Sequence, residues 1–464
     1  MWAPPLDLLR QELTQRSDEG CRVPERLRAE IISLETEDSW NVERLNPLYD
    51  ELMSLTEDPE LSRREPNDLE EIRRLRPHGP RDLGYAPSRS EALDRFHGAW
   101  TGRAVGCALG KPVEGMGMTL EGNRCVGRAH IKRYLQNRGD WPLADYFSGR
   151  DVGDEMRVGC RQSQREHIAY MEPDDDIHYT LVGLGVLEER GADFGWHDVA
   201  KYWISHIPVS AICTAERQAV LNLFSASCVG GTPETRFFSA TPQYTRRHWN
   251  PYREWIGAQI RADGWAWCCA GKPELAAEFA YRDACWTHER NGIYGEMMFA
   301  ALQAAAFVER DPARLIEVGL SEIPAESRLA QRVRECLRWQ AECPSFEGCM
   351  DRLDEVLGGM SPVHTINNAL ICCLSLLYGR MDTTLAITTS VMCGHDTDCN
   401  GATVGSIVGA ARGRRDFGGE LAPRLNDTIR ASMIGFQNIT LSELAERTLI
   451  EFDRVNEYFK RRAS

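Results

Sequence analysis

No run of apolar residues in this chain approaches the ~20 needed to cross a membrane as a helix, so no membrane partner is expected. None of its 16 cysteines forms a Cys-x-x-Cys pair, which removes the usual framework of a structural zinc site. Basic residues are in deficit: 54 Lys and Arg stand against 69 Asp and Glu, a formal net charge of −15. A general nucleic-acid binder shows the opposite balance, so no nucleic-acid partner is expected. An anionic substrate is still compatible, because a bound metal inverts the local sign. The opening residues, Met1-Trp2-Ala3-Pro4-Pro5, lack the basic flank and apolar stretch of a secretory signal. Cys268-Cys269 and Cys372-Cys373 are vicinal, a poor arrangement for ordinary bridges. Buried free thiols in a reducing, cytoplasmic setting are the expectation.

What remains is the composition of a globular protein, with 42% apolar and 27% charged residues in 464. That length fits two domains, or one large domain with an appendage. Glycine is absent between Gly20 and Gly79, where charged helical patterns run through Leu8, Leu9 and Leu13, then Leu48, Leu52 and Leu55. Pro77-His78-Gly79-Pro80, Gly84 and Pro87 read as a linker, and Ser88-Arg89-Ser90-Glu91 is a capping box that opens the next helix. The division is therefore a helical appendage with linker over residues 1–87 and a second domain over 88–464. The appendage is expected to cover a face of the main domain or to mediate association. A chain beginning near Ser88 is expected to fold without it.

Glycine is concentrated where it is least expected. Gly98, Gly102, Gly106 and Gly110 step by four along one helical pattern; Gly401, Gly405, Gly409 and Gly413 do the same along another. Each such glycine costs a helix about 1 kcal/mol relative to Ala. Four on one ridge imply that another backbone comes very close, and two such ridges imply a central helix pair. A membrane GxxxG dimer is the rival reading, opposed by Arg103, Lys111 and Arg412. Further helical patterns cover 176–189, 295–308 and 365–378, and Thr440-Leu441-Ser442-Glu443 is a second capping box. Strand signals are weak, so the expected fold class is all-α.

Two acidic runs carry the chemistry. Pro173-Asp174-Asp175-Asp176 and His395-Asp396-Thr397-Asp398 each stand where an apolar helical pattern begins. A helix N-terminus favours one or two Asp, but three in a row overshoot that need. Like charges packed this densely call for a cation, and carboxylate oxygens suit hard divalent ions, Mg²⁺ above all. The Asp-x-Asp run also fits the start of a haloacid-dehalogenase-type phosphatase, which requires a preceding strand; a loop entering a helix fits Gly394 better. Glu114, after Pro112, is expected on a loop beyond the first glycine helix, where reactive groups often lie. A solvated surface glutamate is the bland alternative. Asp263 and the run His288–Gly295 (HERNGIYG) are either pocket-lining groups able to stack a base or ordinary turns with partly buried aromatics.

GRAVGCALGKPVEG, EPDDDIHYT, RNGIYGEMMFAALQAAAF and GHDTDCNGATVGSIVGA together resemble the ADP-ribosylglycohydrolase family over about residues 92 to 450. The resemblance implies a compact all-α domain with a site for two Mg²⁺ ions, Mn²⁺ being a possible substitute. It implies Asp174, Asp175, Asp176, Asp396 and Asp398 as metal ligands and Glu114 beside the scissile bond. Asn291, Gly292, Tyr294, Gly295 and His395 are assigned to the substrate. Asp174 and Cys399 depart from the Thr common at those positions. The implied activity is hydrolysis at ribose C1 of an ADP-ribosyl group, carried on a protein or on a small ADP-ribose-like molecule. The alternatives are a hydrolase of small nucleoside-like N-glycosides and a catalytically silent ADP-ribose-binding protein.

Overall fold

The four-residue glycine spacing becomes a contact between two backbones. Helix Arg89–Gly110, capped by the Ser88 hydroxyl accepting from the Glu91 amide, runs antiparallel to helix Thr397–Arg412. A Cβ on Gly98 would come closer than 3.0 Å to the Gly409 carbonyl; one on Gly102 would do the same at Gly405, on Gly106 at Gly401, and on Gly110 at Thr397. The obstacles are main-chain atoms, which cannot rotate away. Ala at Gly102 would regain about 1 kcal/mol of helix propensity. Overpacking against an immovable backbone costs about 1–3 kcal/mol or more. Gly102→Ala should therefore lose stability on balance, read as a lower urea midpoint at unchanged m-value; an unchanged midpoint would show that the ridges are not tightly apposed in solution.

The structure, a computed structural model, describes residues 3–226, 240–343 and 345–463. Around the central pair lie helices Asp175–Arg190, Ala262–Cys268, Asn291–Ala306, Thr365–Gly379 and Leu441–Ala463, four of them on the expected segments. Their apolar faces form one continuous core, in which Trp100 packs edge-on to Trp267 at 4.8 Å and donates to the Thr448 hydroxyl at 2.9 Å. Among the described residues the paired strands are two short antiparallel ribbons, Leu120–Glu121 with Arg124–Cys125 and Thr428–Ile429 with Ile439–Thr440. The fold is all-α. No helix among the described residues is long and apolar enough to cross a membrane, and every described cysteine is a free thiol.

Residues 5–75 form helices Pro5–Asp18, Glu25–Ser33, Val42–Ser54, Pro59–Arg64 and Leu69–Leu75. Leu8, Leu9, Leu13, Leu48 and Leu52 bury in a second apolar cluster that also takes Ala215, Trp249 and Tyr252 from the larger part of the chain. The seam between them is ionic. Arg253 pairs with Glu12 and Glu19, both at 2.7 Å, Arg290 and Arg247 pair with Glu57, and Arg328 pairs with Glu65 at 2.8 Å. The linker is pinned as well: Arg76 and Arg81 both reach Glu322, and the Leu83 amide donates to the Gly271 carbonyl. This seam leads us to the opposite proposal for a chain beginning near Ser88. Removing one partner of a buried pair costs about 3–5 kcal/mol, and several pairs would be broken against a total stability of about 5–15 kcal/mol. Such a truncated chain should be unfolded or aggregated by circular dichroism and gel filtration. A monomeric, cooperatively folding product would show that the seam contributes little.

Candidate functional site

Glu114 is carried past the end of the first glycine helix. The chain does not leave helical geometry at Pro112 as expected. Lys111–Val113 tightens into a 3₁₀ turn, whose first positions tolerate proline, and Glu114 opens a four-residue helix, Glu114–Gly117. That short helix is tied to the second acidic run: the His395 amide donates to the Gly117 carbonyl at 2.9 Å, and the Thr397 hydroxyl donates to the Gly110 carbonyl at 2.8 Å. Gly394 and His395 both take the left-handed conformation, φ 71° and 60°, to turn the chain into helix Thr397–Arg412 with Asp396 at its N-cap. A helix, Thr383–Met392, precedes this loop, so the strand a haloacid-dehalogenase motif requires is not there. Asn368, on helix Thr365–Gly379, accepts from the Asn400 side chain at 2.8 Å and faces the Asp396 amide at 3.4 Å.

The first run is held by a buried guanidinium. Asp174 is the N-cap of helix Asp175–Arg190, its side chain accepting from the Asp176 amide. Arg103 donates to the Asp176 carboxylate at 2.7 Å, to its carbonyl, and to the Ile260 carbonyl. On its other side Arg103 faces Asp263 at 3.2 Å, and Asp263 accepts from Ser406 and Gln303. Asp263 is therefore the buried counter-ion of Arg103. Lys111 forms an ion pair with Asp174.

Both runs and Glu114 converge. Three groups have ligand atoms mutually within 4.8 Å: Glu114, Asp396 and Asp398; Asp176, Asp398 and Cys399; and Cys107, Asp174 and Asp176. Asp398 belongs to two of them and Asp176 to two. Asp175 stands outside all three, half-buried at the rim. The carboxylates are deeply placed, with Asp176 0%, Asp398 4%, Asp396 5% and Asp174 6% exposed. Asp176 Oδ2, Asp396 Oδ1 and Asp398 Oδ1 have no hydrogen-bond partner among the described residues. Buried carboxylate oxygens are normally satisfied, so three orphans on residues whose groups share Asp398 fit a divalent cation. The donor chemistry, mostly carboxylate oxygen, agrees.

Electrostatics record the same crowding. Asp398 beside it, and then burial, push Glu114 up to about 9. Burial, then Asp174 and Asp398, push Asp175 up to about 8. Burial and then Asp174 push Asp398 up to about 6. Asp396 and Asp176 rise well above the usual range, first by burial. Asp174 alone is held low: burial pushes it up, but the ion pair with Lys111 and the Asp176 amide together outweigh that. Without added positive charge, Glu114, Asp175, Asp176 and Asp396 keep their protons to higher pH than ordinary carboxylates do.

A family model described as ADP-ribosylglycohydrolase matches residues 88–456. The chain belongs to the ADP-ribosylglycohydrolase family. It is thus a hydrolase of the glycosidase type. One solved structure, described as an ADP-ribosylglycohydrolase-related protein complex, is similar at 18% identity and a TM-score of 0.48, covering 79% of this chain and 99% of its own. No curated protein matches.

Within this glycohydrolase, the run Asn291–Gly295 makes hydrogen bonds across the seam. Asn291 donates to Glu65 and Glu254 and accepts from the Leu329 amide, and Tyr294 donates to the Pro66 carbonyl. Gly292 packs on the Arg253 carbonyl and Gly295 on Thr365. The His395 ring is buried, its Nδ1 without a partner among the described residues. Surface cavities of 340 and 600 Å³ also open along the seam. Concavity alone is common there; a cluster of buried, unpaired carboxylates is not, so chemistry rather than volume selects the site. Sequence reasoning missed Arg103, Lys111, Asn368 and Cys107 as parts of it. A charged Arg103 on an otherwise small-residue ridge was the available signal.

Proposed function

We propose that the chain is a Mg²⁺-dependent glycohydrolase that cleaves the glycosidic bond at ribose C1 of an ADP-ribosyl group. The observation that carries this reading is the meeting of Glu114 with Asp396 and Asp398, next to Asp176, in a family of ADP-ribosylglycohydrolases. Asp174, Asp176, Asp396 and Asp398 would hold the ions, with Asp175 at the rim. Bound Mg²⁺ supplies positive charge that orients the ribose hydroxyls and polarises water. Arg103 keeps one Asp176 oxygen fixed, so that the orphan Oδ2 presents a constant direction to the site. Asn368 holds the Asp396 loop in place. Glu114, half-buried and the most accessible of its group, is the residue assigned to the bond being broken. As the C1–aglycone bond breaks, the ribose takes on oxocarbenium character. The Glu114 carboxylate stabilises that charge and accepts the proton of the attacking water as the new C1–O bond forms, and that proton then passes to the departing aglycone, which has left with the bonding electron pair.

The deciding experiment incubates the protein with ADP-ribosylated proteins, small ADP-ribosyl conjugates and free nucleosides, each with and without Mg²⁺. Release of ADP-ribose only with Mg²⁺ is the expected result. Cleavage of nucleosides alone would move the substrate to the small N-glycoside alternative. ADP-ribose binding without any release would leave a silent binding protein.

A further inference from the structure

The candidate centre has two chemically unequal halves. Glu114, Asp396 and Asp398 offer only carboxylate oxygen. Asp176, Asp398 and Cys399 offer two carboxylates and one sulfur, again within 4.8 Å of one another. Asp398 is common to both. Cys399 lies in the first turn of helix Thr397–Arg412 and is 8% exposed. Its position is set by the glycine ridges, which bring that turn against the first glycine helix. The sulfur is not isolated: Asp176 Oδ2 and Asp398 Oδ1, in the two acids grouped with it, are buried and have no hydrogen-bond partner among the described residues.

Ligand softness separates the halves. Carboxylate oxygen suits Mg²⁺ and Mn²⁺, whereas a thiolate favours borderline and soft ions such as Zn²⁺ and Co²⁺. We propose that Cys399 makes this a mixed centre, in which the oxygen-only half keeps a hard ion and the Cys399 half takes a thiophilic divalent ion. On binding, the Cys399 S–H bond breaks and its proton leaves to the buffer. The sulfur lone pair forms the metal–sulfur bond, a water leaves the ion, and nothing is oxidised or reduced. Cys107 is grouped with Asp174 and Asp176 only, with no acid of the second run, whereas the Cys399 group shares Asp398 with the oxygen-only half. Cys399 is therefore the sulfur donor.

This inference rests on the metal-centre reading above, and the test separates the two. The full-length protein, freed of metal, is titrated anaerobically with Co²⁺, with near-ultraviolet thiolate-to-cobalt charge transfer and visible d–d absorption recorded together. The wild-type protein should show charge transfer that saturates with one Co²⁺, and about a hundredfold excess of Mg²⁺ should leave it in place. Cys399→Thr should lose that band while keeping d–d absorption, and Mg²⁺ should compete against its Co²⁺ about tenfold or more better than in the wild type. Cys107→Ser should keep the band. Co²⁺ bound without charge transfer in the wild type, or a band that survives Cys399→Thr, would overturn the sulfur assignment and leave the metal centre standing. Binding of neither Co²⁺ nor Mg²⁺ would overturn both.

Discussion

Glu114→Gln should turn over its ADP-ribosyl substrate about a hundredfold or more slowly than the parent chain, on the scale of general acid–base groups. The substitution keeps size and hydrogen-bonding reach but removes a charge that acts mostly in the transition state, so kcat should fall more than binding weakens. Folding should be unharmed. Glu114 repels Asp398, the first cause of its raised pKa, and a neutral amide relieves that repulsion. The grouping of Glu114 with Asp396 and Asp398 adds a second readout. If Glu114 serves the reacting bond, Mg²⁺ affinity by calorimetry should stay within a few-fold. A parallel collapse of affinity would make it a ligand instead, and near-normal turnover would remove it from the mechanism.

Asp398→Asn should have opposite effects on the two states of the protein. Asp398 is shared by two groups, so its loss should lower Mg²⁺ affinity by about a hundredfold, the upper range seen for perturbing a metal's surroundings, and abolish measurable turnover. Yet the metal-free variant should melt at the same temperature as the parent or higher, because Asp398 repels Glu114, Asp175 and Asp396. The pH dependence has a definite sign. Glu114, Asp175 and Asp398 titrate at about 9, 8 and 6 in the folded chain, above their unfolded values. The folded state therefore binds more protons between the unfolded and folded pKa values, and this contribution to stability falls as pH rises through that window. A bound cation replaces those protons. The rise in melting temperature on adding Mg²⁺ should grow between about pH 6 and about pH 9, and the growth should shrink in Asp398→Asn. A Mg²⁺ effect independent of pH would contradict the crowding from which the metal site is inferred.

Much of the local structure was legible because its causes are local. The Ser88 and Thr440 caps act over three residues, and both hydroxyls accept from amides at the expected offset. The glycine steps were informative because glycine in a helix has few reasons other than close approach, and the two ridges do meet. The Arg103–Asp176–Asp263 chain was not legible. It joins residues 73 apart and more, and an isolated Arg in a helix reads the same whether solvated or buried. The bond from Asn291 in the run Asn291–Gly295 to Glu65, 226 residues away, was not legible either. Pro112 was read as a stop because proline ends an α-helix; the 3₁₀ turn that absorbs it depends on what packs against Gly110 and Gly117.

By itself the sequence determined the helical class, the two glycine ridges, and a set of carboxylates too dense to stand without positive charge. Each follows from spacing along one helix or one turn. Which carboxylates come together was decided only by tertiary structure. Asp176 and Asp398 are brought within 4.8 Å because two antiparallel backbones close on each other and a buried Arg103 aims the first run at the second. The same closure puts the Cys399 sulfur into the ligand group and leaves Asp175 at the rim. Distances of that kind arise between chain segments more than 200 residues apart, and no short-range rule of the sequence encodes them.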